Sequence, residues 1–79
     1  MGVTIEYCGT CNYRPQAARL ALAIKEGTGL AVELVHSTTA GAFEVSFDGQ
    51  LVFSKNLTNR FPDPAELVDA IRARQRGDA

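Results

Sequence analysis

The sequence predicts an α/β protein: a two-layer sandwich of β-α-β-β-β-α order, whose four-stranded mixed sheet carries both helices on one face. Three observations carry this. Four segments show the period-two alternation of apolar and polar residues that gives a strand one buried face, namely 3–7, 30–36, 42–47 and 50–55. Two other segments, one after the first strand and one at the C-terminal end, place apolar residues at helical spacing. The opening strand, helix, strand order implies a parallel pair with a right-handed crossover, whereas Asp48-Gly49 closes a hairpin and therefore an antiparallel pair.

The first strand, Val3-Thr4-Ile5-Glu6-Tyr7, runs directly into Cys8-Gly9-Thr10-Cys11. A helix follows from Pro15 to Glu26, with Ala17, Leu20, Ala21 and Ile24 as its apolar stripe. Pro15 suits the first helical position, where a missing N–H costs nothing, and Gly27 supplies the expected stop. In the second strand Leu30, Val32 and Leu34 share one face and Glu33 takes the other. Ser37 to Gly41 is a small, polar loop.

Two registers compete in the hairpin. A two-residue loop places Glu44 opposite Phe53 and mixes charge with an aromatic ring on one face. A three-residue loop, Phe47-Asp48-Gly49, pairs Val45 with Leu51 and Phe43 with Phe53, and gives one clean apolar face. The second is the expectation. Asn56 to Pro62 reads as a loop. Asp63 then caps the last helix, Pro64 fills its first position, Glu66 completes a capping box, and Leu67, Val68 and Ile71 form the buried side.

The 79 residues suffice for one domain, with 73–79 expected as a frayed tail. A domain this small buries a modest fraction of its surface, so a shallow site on one edge suits it better than a deep pocket. Eight Lys and Arg against nine Asp and Glu leave a net charge of −1, with no basic stripe for nucleic acid. Arg72, Arg74 and Arg76 read as cations suited to the end of a helix dipole. No apolar run is long enough to cross a bilayer, and no basic start followed by a long apolar run marks a signal peptide. A cytoplasmic location is expected, and there two cysteines point to redox or metal chemistry rather than to a static staple.

Cys8 and Cys11, with Gly9 and Thr10 between them, carry the chemistry. Two residues of spacing bring the sulfurs close enough to bridge, and a helix N-terminus favours thiolate over thiol. A thiolate attacks a disulfide, and a neighbouring cysteine resolves the adduct. A structural zinc site needs about four protein ligands, more than two cysteines and one histidine offer, unless two chains share it. Tyr7 and Tyr13 flank the motif, either as partner contacts or as packing residues. Arg14 is a candidate to stabilise a thiolate or a glutathione carboxylate, whereas Arg19 reads as part of a solvated helix face. His36, at the end of the second strand, reads as a surface or edge histidine.

The segment from Val3 through Cys8-Gly9-Thr10-Cys11 to Arg14 resembles the start of selenoprotein W-like proteins, the Rdx family. Gly41-Ala42-Phe43-Glu44-Val45, Asp48-Gly49 and Leu51-Val52-Phe53-Ser54-Lys55 are similar to that family's hairpin, and the final helix matches in position. The resemblance implies a thioredoxin-like fold and redox activity, with no bound cofactor. It also implies protein thiols or disulfides, or glutathione as a co-substrate, as partners. Animal members often carry selenocysteine at the second motif position, which is Cys11 here. Analogy with thioredoxin makes Cys8 the attacking atom; analogy with the selenoproteins makes it Cys11. Thioredoxins also place a proline before the third strand, where this chain has Thr39-Ala40-Gly41-Ala42. Two other readings compete: a Cu(I)-handling protein, since soft thiolates suit that ion, and a redox-gated binding module without turnover.

Overall fold

The computed structural model describes residues 2–77. Its strands are β1 (Val3–Cys8), β2 (Val32–Ser37), β3 (Phe43–Phe47) and β4 (Gln50–Ser54). Its helices are α1 (Arg14–Thr28), a single turn α2 (Lys55–Thr58) and α3 (Pro64–Gln75), and a 3-10 turn spans Gly9–Cys11. The sheet order is β2-β1-β3-β4. β1 runs parallel to β2 and antiparallel to β3, which is antiparallel to β4. This is the predicted mixed sheet, with α2 added where a loop was expected.

One apolar core explains the layering. Val3, Ile5 and Tyr7 of β1, Phe43, Val45 and Phe47 of β3, and Phe53 of β4 meet Ala17, Leu20 and Ile24 of α1 and Leu67 and Ile71 of α3. All of these lie on one face of the sheet, so α1 and α3 pack side by side on it. The other face carries Glu6 directly opposite Glu44. Like charges in that position repel, and the Ser54 hydroxyl donates to the Glu44 carboxylate at 3.1 Å.

The hairpin departs from both predicted registers. Its loop has two residues, with Phe47 paired to Gln50 and Ser46 to Leu51, so the three-residue loop is corrected. Asp48 (φ 52°) and Gly49 (φ 82°) are both left-handed, as the mirror-image two-residue turn requires. β4 then inserts Val52 as an extra residue, and beyond it Val45 pairs with Phe53. That bulge restores the clean apolar face which the longer loop was invoked to provide.

α1 also ends later than predicted. Its cap is Gly29 (φ 76°), whose N–H donates to the Lys25 carbonyl. Gly27 lies inside the helix because α3 crosses there: a Cβ on Gly27 would stand 2.6 Å from Val68 Cγ1. Propensity alone credits Gly27→Ala with about 1 kcal/mol, but overpacking a stiff β-branched neighbour costs about 1–3 kcal/mol. The single variant is therefore expected to unfold at lower denaturant than the parent. In a Val68→Ala background the same change is expected to stabilise, and a double-mutant cycle by urea unfolding checks both signs.

Asp63 caps α3 as predicted, its carboxylate accepting the Ala65 N–H at 3.0 Å. The other half of the expected capping box is replaced, because Glu66 pairs with Arg60 at 2.8 Å. α3 stays helical through Gln75, so 73–75 belong to the helix rather than to the expected tail. Residues 78 and 79 lie outside the described residues.

Candidate functional site

β1 delivers Cys8 to the C-terminal edge of the sheet. The Cys8 N–H donates to the Ala42 carbonyl at 2.8 Å, which carries the pairing with β3 one step beyond Tyr7 and Phe43. The chain then tightens into the 3-10 turn, reverses at left-handed Asn12 (φ 60°), and enters α1 at Arg14. The turn holds the Cys8 and Cys11 Cα atoms 5.4 Å apart, and their sulfurs are joined in a disulfide.

The two cysteines differ in access. Cys8 is 2% exposed, whereas Cys11 is half-buried. Their polar partners differ as well. Thr10 Oγ1 lies 3.4 Å from the Cys8 sulfur, and the Gly41 N–H donates to the Cys11 sulfur at 3.3 Å. Both cysteines precede α1, so the N–H aimed at Cys11 comes from the loop before β3 and not from the helix end the sequence suggested. In the reduced protein an N–H donated to sulfur favours the thiolate. Gly41 (φ 76°) adopts a left-handed conformation to present it.

The remaining predicted residues separate into core, wall and rim. Gly9 and Thr10 are exposed. Tyr7 is 2% exposed and belongs to the core, so it is removed from the candidate partner contacts: its β1 position faces the helices. Tyr13 is half-buried, edge-on to Phe61 at 4.9 Å and to Phe43 at 6.3 Å, with Lys55 Nζ 5.6 Å from its ring centroid. Arg14 is exposed at the start of α1. Arg19 is exposed, as the solvated-face reading expects, and also joins Gln16, Leu20, Phe43, Phe61, Pro62 and Pro64 around a cavity of about 160 Å³.

His36 is exposed, as expected, yet it stands at the site. Parallel pairing sets it beside Tyr7 and sets Ser37 beside Cys8. Its ring meets Tyr7 edge-on at 5.0 Å, and its Nδ1 would lie 3.2 Å from a Cβ placed on Gly9. The signal for this was the parallel register, which follows once the first two strands are aligned. Gly41 and Lys55 were missed too, since neither is near the motif in sequence. Among the described residues, no group of three or more His, Cys, Asp or Glu is arranged to hold a metal ion. No described helix is long and apolar enough to cross a membrane.

A bridged cysteine pair at the strand-to-helix corner of a two-layer α/β sheet defines a small redox-type protein of thioredoxin-like architecture. Residues 2–73 match the Rdx family, and the chain belongs to that family. It is 39% identical over 77 residues to Migration and invasion enhancer 1 of Bos taurus and of Mus musculus, covering 96% of this chain. The chain spans 66% of the length of those relatives. A protein from Bordetella parapertussis superimposes with a TM-score of 0.85 at 27% identity, covering 91% of this chain and 94% of that one. The selenoprotein W-related protein from Vibrio cholerae shares the fold, with a TM-score of 0.81 at 23% identity over 90% of this chain and 91% of that one.

Proposed function

We propose that this protein is a thiol–disulfide oxidoreductase in which Cys11 exchanges with the partner and Cys8 resolves. The observation that carries the reading is the asymmetry of the pair: a buried Cys8 beside a half-buried Cys11 whose sulfur receives the Gly41 N–H. An exchange reaction needs one sulfur that a partner can reach in line and one held back to break the mixed disulfide. The partners are protein disulfides or glutathione, with no bound cofactor, and the compartment is the cytoplasm. On this reading Arg14, exposed three residues after Cys11, pairs with a carboxylate of the incoming thiol compound.

Titration against glutathione buffers, with alkylation and mass spectrometry following each cysteine, tests this. A reversible Cys8–Cys11 disulfide is expected within the span of known oxidoreductases, about −120 to −270 mV, and any glutathione adduct is expected on Cys11. If no internal disulfide forms anywhere in that span and both thiols react like free cysteine, the reading fails. Cu(I) binding by the thiolate pair is then the next measurement.

A further inference from the structure

We propose that the disulfide this protein exchanges with belongs to a polypeptide, one that carries an aromatic or branched aliphatic residue two or three positions from its reactive cysteine and an acidic residue beside that. The proposal rests on the oxidoreductase reading above and names its substrate class.

The apolar residue has a place to go. The cavity of about 160 Å³ between α1 and the start of α3 has buried Leu20 and Phe43 as its floor. Half-buried Phe61, Pro62 and Pro64 wall it, and exposed Gln16 and Arg19 form its rim on α1. An apolar cavity of about 150 Å³ takes up a benzene ring, so a phenylalanine or leucine side chain suits this one. Its walls are set before a ligand arrives. Phe61 stands edge-on to Tyr13 at 4.9 Å and to Phe43 at 5.2 Å, and the two prolines have fixed φ. A preformed site spares the cost of ordering it, and an apolar side chain seated there leaves water together with the half-buried wall.

Two chain paths tie this cleft to the reacting sulfur. The Gly41 N–H lies 3.3 Å from the Cys11 sulfur, and Phe43 follows two residues later. Tyr13 follows Cys11 by two residues and meets both Phe43 and Phe61. Two residues span at most about 8 Å between Cα atoms, and an extended peptide advances about 3.3–3.6 Å per residue. A partner held by its cysteine at Cys11 therefore reaches the cleft with its second or third neighbouring residue.

The charge around the cleft selects the acidic neighbour. Arg14, Arg19 and Lys55 have no ion-pair partner among the described residues. Lys55 Nζ stands 5.6 Å from the Tyr13 ring centroid and 5.5 Å from that of Phe61. The nearby acids are already engaged: Asp63 accepts the Ala65 N–H, and Glu66 pairs with Arg60. Three unpaired cations thus gather at one corner of a chain whose net charge is −1. Glutathione has carboxylates for these cations but no apolar side chain for the cleft, so the two features together point to a polypeptide.

The exchange itself balances as a two-electron transfer. The Cys11 thiolate attacks one sulfur of the peptide disulfide and releases the other as a thiolate, which water protonates. Cys8, its proton lost to solvent, displaces the first peptide sulfur from Cys11. Two peptide thiols and the Cys8–Cys11 disulfide result.

Four peptide homodisulfides test the proposal. Each has the order cysteine, glycine, X, Z with blocked ends, where X is phenylalanine or alanine and Z is glutamate or lysine. Acid quenching, alkylation and mass spectrometry follow formation of the Cys8–Cys11 disulfide in the reduced protein. Each rate is divided by that of dithiothreitol with the same peptide, which removes intrinsic reactivity. Phenylalanine is expected to exceed alanine by about tenfold, the scale of a filled apolar pocket. Glutamate is expected to exceed lysine by about two- to fivefold, the scale of exposed ion pairs, and high salt is expected to erase that preference. Gln16→Trp, which sets a ring on the rim, is expected to bring the phenylalanine-to-alanine ratio close to one. Arg19→Glu is expected to reverse the preference for glutamate. Both positions are exposed, circular dichroism checks that each variant folds, and the wild-type ratios decide without them. Equal normalised rates for all four peptides overturn the inference and leave the oxidoreductase reading standing. An undiminished phenylalanine preference in folded Gln16→Trp also overturns it. If neither the peptides nor glutathione disulfide forms the Cys8–Cys11 bond, the oxidoreductase reading falls, and this inference with it.

Discussion

Phe43→Ala is expected to remove about 3–5 kcal/mol of folding stability, the usual range for a buried phenylalanine. The ring is 0% exposed at the start of β3, paired across the sheet with Tyr7. It also meets Phe61 edge-on at 5.2 Å and Tyr13 at 6.3 Å, and such pairs add about 0.5–1.5 kcal/mol each beyond burial. A domain of this size holds only about 4–12 kcal/mol in total, at roughly 0.05–0.15 kcal/mol per residue. The loss is therefore expected to lower the melting point by about 4–8 °C for each kcal/mol and to leave the variant close to unfolded. Urea unfolding followed by circular dichroism measures this, and Phe43→Leu, which keeps most of the apolar volume, is expected to cost less. A loss under about 1 kcal/mol would mean that Tyr13 and Phe61 close over the gap.

The position of Phe43 also links the core to the cysteine pair. Ala42, its neighbour, accepts the Cys8 N–H, and Gly41 before that donates to the Cys11 sulfur. One short segment therefore fixes both cysteines, and its own anchor is the Phe43 side chain beneath them. The arrangement lets a small domain hold a defined site without a deep pocket, because the sheet's most buried ring lies directly behind the loop that touches the sulfurs.

Much of this was legible in the sequence, because much of it depends on local rules. Alternation from Val3 to Tyr7 revealed a strand with one buried face, and Asp63-Pro64 revealed the start of α3, since caps and period-two patterns act over a few residues. What depends on the meeting of distant segments was hidden. Gly27 and Gly29 look equally able to end a helix, and only the passage of Val68 decides between them. The Val52 bulge reconciles a two-residue turn with an apolar face, and a reading confined to regular registers had to give up one or the other. His36 is distant from the motif in sequence and comes beside Tyr7 and Gly9 solely through the β1–β2 register. Burial likewise separates two cysteines that are chemically identical on paper: Cys8 completes the strand, whereas Cys11 lies in the turn beyond it.

That last difference sets the second large effect. Cys8→Ser is expected to leave Cys11 reactive and unable to discharge its adduct, so that incubation with glutathione disulfide accumulates a stable mixed disulfide on Cys11. Cys11→Ser leaves a thiol that is 2% exposed and has no N–H on its sulfur from Gly41. Burial keeps that sulfur from an incoming disulfide, so its adduct formation is expected to be on the order of a hundredfold slower. Intact-mass spectrometry of the two variants over a time course gives the ratio directly. A larger rate for Cys11→Ser than for Cys8→Ser would reverse the roles: Cys8 would then be the attacking atom, and the turn would have to open before any partner could be engaged. The predicted ratio instead requires no movement, because the sulfur that reacts first is the one the folded chain already exposes and already supplies with a hydrogen-bond donor.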